Sequence, residues 1–135
     1  MTIREWDKNF RNFTPDELMC PESRGYKFHP GFAELLQQLR DLYAKPIHVN
    51  SCCRSLVYNA KLDKSSKSSL HVYDKPHRGS LGTCAIDVRV SDAIDRHEFM
   101  KIALMLGFSC YFIGGNPVNI HLDQRLLLGE KAMFW

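Results

Sequence analysis

The 135-residue chain has no His-Glu-x-x-His run, no Cys-x-x-Cys pair, no internal repeat and no low-complexity tract. The first absence excludes the helical zinc-protease signature, and the second excludes a thiolate zinc knuckle. No apolar run approaches the length of a membrane span. The opening MTIREWDKNF has no apolar h-region, so no signal peptide is expected and synthesis in the cytoplasm is. Charge of one sign is also scarce. The formal net charge is +3, and like charges never run beyond a couple of residues. That is too little to argue for nucleic acid, and it does not oppose contact with an anionic polymer. Five cysteines occur, an odd number, so at least one thiol is unpaired. They are expected as reduced, mostly buried thiols of a reducing compartment.

What is present is an ordinary globular composition, 44% hydrophobic and 24% charged, of a length that suits one domain over residues 1–135. Thr14-Pro15-Asp16-Glu17 reads as a helix start, with Thr14 as N-cap, Pro15 in the first turn and Glu17 completing a capping box. A longer helix opens near Pro30. Phe32, Leu35, Leu36, Leu39, Leu42 and Tyr43 recur at helical spacing, and Lys45-Pro46 ends it. Residues 47–50 read as a short strand and 55–62 as a brief helix, followed by a loop over 63–69. Ala85–Val90 alternates cleanly, with Ile86, Val88 and Val90 on one face and Ala85, Asp87 and Arg89 on the other. Ser91 or Asp92 caps a helix to Leu106, and Gly107 suits its C′ position. Residues 108–113 and 118–122 read as a hairpin around Gly114-Gly115-Asn116-Pro117. The expected class is α+β: a small, mainly antiparallel sheet with helices packed on it.

Two imidazoles and a carboxylate stand out: His71, Asp87 and His121. Asp87 lies on the strand face opposite Ile86 and Val88, where it needs water or a partner. Two histidines and one aspartate are a good zinc set that leaves a fourth position open. The residues alone leave two readings: a metal set, or three unrelated polar side chains. Tyr111 is either a strand tyrosine packed on a helix or a cleft residue that donates to a developing oxyanion. His48, between Ile47 and Val49, reads as a partly exposed histidine, and Cys84 as a buried thiol.

From about Thr14 to Arg125 the order of segments resembles the zinc peptidases of the M15 family. Phe13-Thr14-Pro15-Asp16-Glu17-Leu18-Met19-Cys20-Pro21 is similar to the family's opening segment. Residues 46–55 with Tyr58-Asn59 resemble P-I-x-V-x-S-G-Y-R-S-x-x-Y-N. Ser69-Leu70-His71 fits S-x-H, Ala85-Ile86-Asp87 fits A-x-D, and residues 121–125 fit H-x-D-x-R.

The resemblance implies zinc held by His71, Asp87 and His121. It implies that Arg54 holds a substrate carboxylate or carbonyl oxygen and that Ser69 positions the peptide. It also implies a substrate, the stem peptides of bacterial peptidoglycan, cut by a D-alanyl-D-alanine carboxypeptidase or an L-alanyl-D-glutamate endopeptidase. A phage or prophage enzyme such as an endolysin, acting on the cell wall, fits that picture.

Three departures accompany it. The His71–Asp87 separation is longer than the family's usual one, with the extra residues at about 72–81 expected as a loop rimming the cleft; His77 within it is an alternative ligand. Val118 stands where many relatives carry the carboxylate that activates water. Asp123 is the expected substitute, since residues two apart in a strand share a face, or else it orients His121. Cys52-Cys53 replaces a Gly-aromatic pair. The alternative to an enzyme is a non-catalytic zinc-binding module of a cell-wall or virion complex.

Overall fold

A computed structural model describes residues 3–62 and 69–129. The expected loop over 63–69 and the tail beyond Gly129 lie largely outside these residues.

The elements run α1 (Ile3–Asn9), α2 (Pro15–Leu18), α3 (Phe32–Tyr43), β1 (His48–Ser51), α4 (Leu56–Lys61), β2 (Ala85–Arg89), α5 (Ala93–Met105), β3 (Ser109–Phe112) and β4 (Asn119–Asp123). The four strands form one sheet in the order β1-β2-β4-β3, and every pair is antiparallel. The architecture is α+β, as the pattern of the sequence predicts.

Local chemistry explains most boundaries. The Glu17 carboxylate accepts from the Thr14 backbone N–H at 2.7 Å, so the capping box forms around a helix of one turn. Asp92 caps α5 by accepting from the N–H groups of Ile94 and Asp95, both at 2.9 Å. Gly107 follows α5 with φ +97°, the left-handed conformation that ends a helix at low cost. Helix α1 is an element that the sequence pattern does not announce. Trp6 anchors it, with its indole N–H donating to Phe13 O at 2.8 Å and its ring packed against Phe10, Tyr26 and Phe28.

Strand alternation divides the sheet. Ile86, Val88, Ile120 and Leu122 are fully buried and join one cluster with Leu36 and Leu39 of α3 and Phe99 and Ala103 of α5. Leu42, which the periodicity assigns to the buried stripe of α3, is exposed, because Tyr43 takes the contact with Phe99. The opposite face of the sheet carries Asp87 and His121.

The extra residues 72–81 are stitched to the body. Arg54 and Val72 form a parallel bridge, and Gly82 N–H donates to Tyr73 O at 3.0 Å. The Asp74 carboxylate accepts from Leu56 N–H at 2.7 Å, at the start of α4. The buried His77 ring bonds Val72 O at 2.6 Å, and His29 donates to His77 O at 2.9 Å. A Cβ at Gly82, where φ is +123°, would lie 2.3 Å from His29 N, so only glycine fits this close approach.

Candidate metal centre

Strand register lays the polar face of the sheet out in rows. Asp87 of β2 pairs with His121 of β4, which pairs with Tyr111 of β3, and Ser51 of β1 faces Asp87 from the other side. His71 reaches the same row from the turn that follows Ser69. The Ser69 hydroxyl accepts from His71 N–H at 3.3 Å and shapes that turn.

His71, Asp87 and His121 are all buried, and one donor atom from each lies within 4.8 Å of the others. Their hydrogen bonds say which atoms face inward. His71 Nδ1 lies 2.7 Å from Cys52 O, and a carbonyl only accepts, so Nδ1 carries the proton and Nε2 a lone pair. That Nε2 is buried and has no aligned hydrogen bond among the described residues, yet it lies 3.2 Å from Asp87 Oδ1. Two lone-pair atoms converging in a buried space is an arrangement that a cation resolves. His121 turns Nδ1 toward Asp87 Oδ1 at 2.8 Å and Nε2 toward Asp123 Oδ2 at 2.7 Å. The donor set of two imidazoles and one carboxylate therefore fits zinc, through His71 Nε2, an Asp87 oxygen and His121 Nδ1.

A shell of partners fixes these ligands. Arg54 donates from Nη2 to Asp87 Oδ2 at 3.3 Å, from Nη1 to Asn59 Oδ1 at 3.3 Å and from Nε to Ser51 Oγ at 3.1 Å. The guanidinium thus holds the outer oxygen of Asp87 and leaves Oδ1 facing the histidines. Asp123 is fully buried. Besides His121, it accepts from Arg125 Nε at 2.9 Å, Arg125 Nη2 at 2.6 Å and the Arg125 backbone N–H at 3.0 Å. The Tyr111 ring stacks on the His121 imidazole with centroids 4.4 Å apart and planes at 22°.

The electrostatics follow from these contacts. Burial alone would raise the Asp87 carboxyl, but the hydrogen bond from His121 and the close approach of His71 outweigh it and hold the group below the usual carboxylate range. Burial dominates at His71 and pushes its pKa down, against the pull of Asp87. At His121 burial is outweighed by the bonds to Asp123 and Asp87, and the pKa rises. Burial would raise Asp123, yet His121 and Arg125 hold it low.

Of the seven site residues the sequence singles out, the structure brings five together around one centre: Arg54, His71, Asp87, His121 and Asp123. Ser69 lies two residues from His71 in the same turn. Tyr111 is drawn in by its stack on His121. His77 stays outside the cluster, with its ring on Val72 O. The sequence analysis assigns no role to Asn59, Ser51 or Arg125, although all three sit inside the quoted patterns.

A buried His-Asp-His set on one face of an α+β sheet, with a fourth position open, is an arrangement that suits a metal-dependent hydrolase. The Peptidase M15 family model matches residues 11–123, and the chain belongs to this family of zinc metallopeptidases. Comparisons with curated proteins and with solved structures return no match.

Proposed function

We propose that residues 1–135 form a single zinc peptidase domain that hydrolyses peptide bonds in bacterial peptidoglycan stem peptides. The bond is either the terminal D-alanyl-D-alanine link or one inside the stem, and the setting is a phage-encoded enzyme acting on the cell wall. The observation that carries the hydrolytic reading is the buried convergence of His71 Nε2, Asp87 Oδ1 and His121 Nδ1. Membership of the M15 family supports the peptide chemistry; the stem-peptide substrate rests on the resemblance in the motifs.

When bound, zinc supplies Lewis acidity and lowers the pKa of a coordinated water to about 7. The chain's own residues do the rest. Arg54 positions Asp87, and two of its five guanidinium N–H groups remain for a substrate oxygen. Ser69 presents His71, and Tyr111 walls the His121 side of the cleft. For Asp123 we propose the orienting role over that of base. Both its oxygens already accept hydrogen bonds, and a carboxylate held below its usual range is a weak proton acceptor.

The same commitment of Asp123, together with Val118, favours one second reading, a zinc-dependent binding module. Mass spectrometry of synthetic stem peptides incubated with zinc-loaded protein, with and without a chelator, separates the two. Chelator-sensitive cleavage, absent from His71→Ala, is the expected result. Intact peptide after incubation with folded, zinc-loaded protein would leave only the binding module.

A further inference from the structure

The polar face of the sheet is closed at one end and open at the other. Beyond the row of Asp87 and His121 on one side lie Ala85, Asp123 and Ser109, all with no exposed surface. On the other side, Arg89 pairs with Asn119 in β4 and with His48 in β1. His48 and Arg89 are exposed and Asn119 is half-buried. A peptide seated at the metal centre and running along the strands can extend over this second row.

A bulge reshapes the row. Ser51 faces Asp87 while Val49 faces Val88, so Asn50 is an extra residue in β1. Bulges beside active sites re-aim side chains. Here Asn50 Nδ2 donates to Asn119 Oδ1 at 3.2 Å, which brings its carboxamide across β2 onto the same face. Among the described residues the amide pair keeps free donors and an acceptor suited to a peptide unit. Arg89 commits only Nε, to Ser91 Oγ at 3.3 Å, and its terminal nitrogens take no partner among the described residues. The row is cationic and neutral, with no carboxylate in it.

We infer that His48, Asn50, Arg89 and Asn119 form a substrate subsite that reads a carboxylate-bearing stretch of the peptide, with Arg89 as the specificity-determining residue. This rests on the peptidase reading and deepens it. Arg89 lies two strand residues beyond Asp87, about 6.6–6.8 Å along the sheet, with its side chain leaning further outward toward Ser91. An extended peptide advances by a similar amount over two residues. The carboxylate that Arg89 meets therefore belongs to a residue adjacent to the scissile bond or next to it in turn. Asn50 and Asn119 bind the peptide unit between.

The test uses zinc-loaded protein and two synthetic stem peptides, one with free carboxylates and one with those groups as carboxamides. Hydrolysis is followed as kcat/KM and binding by calorimetry. The acid is expected to be preferred, and Arg89→Gln is expected to reduce that preference at least about tenfold, as loss of a charge-assisted hydrogen bond does. Asn50→Ala is expected to weaken both peptides alike. Equal kcat/KM for acid and amide would overturn the subsite and leave the peptidase reading intact. Arg89-dependent binding of the acid without hydrolysis of either peptide would uphold the subsite and overturn the peptidase. Absence of both a binding preference and hydrolysis would remove the subsite. Zinc content and thermal melts of Arg89→Gln, whose side chain is exposed, verify that any change is local.

Discussion

Asp123→Asn distinguishes a carboxylate that orients a ligand from one that takes a proton. The substitution keeps volume and one acceptor oxygen but removes the charge. Arg125, with 16% of its side chain exposed, then loses the charge it meets in a bidentate contact at 2.6 and 2.9 Å. Removing one partner of a buried pair costs roughly 3–5 kcal/mol, and the partial exposure of Arg125 places this case at about 3. The fold is expected to survive that loss, since domains of this size hold about 5–15 kcal/mol. At the metal centre the variant loses the charged acceptor of His121 Nε2–H, and comparable losses lower metal affinity about 10–100-fold. Zinc affinity is read by competition with a chromophoric chelator, stability by urea denaturation, and turnover at saturating zinc. The orienting role predicts weaker zinc binding, with turnover largely restored once zinc is saturating. Zinc affinity unchanged within about twofold, with turnover lost by orders of magnitude, would refute it and make Asp123 the base.

Zinc binding should strengthen with pH below the raised pKa of His121 and level off above it, because Nδ1 must shed a proton to bind metal. His71 and Asp87 are held low and add nothing near that pKa. Calorimetry in buffers of different ionisation enthalpy should show about one proton released per zinc at pH 6, and release of none would contradict it. In the metal-free protein the sign reverses. The His121 contacts stabilise the fold fully below its unfolded pKa, and that contribution is lost as pH rises through the raised value. The depressed Asp87 contributes above the ordinary aspartate range and loses its contribution in acid. His77→Ala should retain full zinc content by elemental analysis while losing about 1–3 kcal/mol in urea, since Val72 O loses its buried partner; zinc loss would mean that His77 is a ligand. Gly82→Ala should cost about 3 kcal/mol by the same assay, through positive φ and the clash with His29, and a neutral result would disprove that close approach.

The strands and their facing were readable because alternation in Ala85–Val90 fixes which side chains share a face, and that alone placed Asp87 opposite the core. The hairpin and the caps at Thr14, Asp92 and Gly107 came from turn and capping chemistry that acts locally. Helix α1 was not readable, because its stability comes from Trp6 packing on Tyr26 and Phe28, contacts of high sequence separation. The bulge at Asn50 was hidden for a similar reason. Nothing within Ile47-His48-Val49-Asn50-Ser51 announces it, and only the pairing with β2 shows which residue is extra. The extra residues 72–81 read as a rim loop from the long His71–Asp87 separation set against the family pattern, whereas the rings of His29 and His77 and the carboxylate of Asp74 fasten them to the body.

The departure at Cys52-Cys53 shows what the metal centre requires of its surroundings. His71 is held by the main-chain carbonyl of residue 52, a group that every residue type supplies. The Cys52 thiol turns instead to Ala85 O at 3.6 Å, and burial pushes its pKa well up, so it stays a neutral thiol. A side-chain change there leaves the tautomer of His71 untouched, provided the backbone path survives. Asn59 and Ser51 are different. They meet Arg54 through side-chain oxygens, and Arg54 in turn fixes Asp87, so their identity matters. The centre is therefore specified by backbone geometry at His71 and by side-chain chemistry at Asp87. Asn59→Ala should loosen Asp87 and weaken zinc. A change of Cys52 to a residue of similar volume should leave zinc affinity where it is.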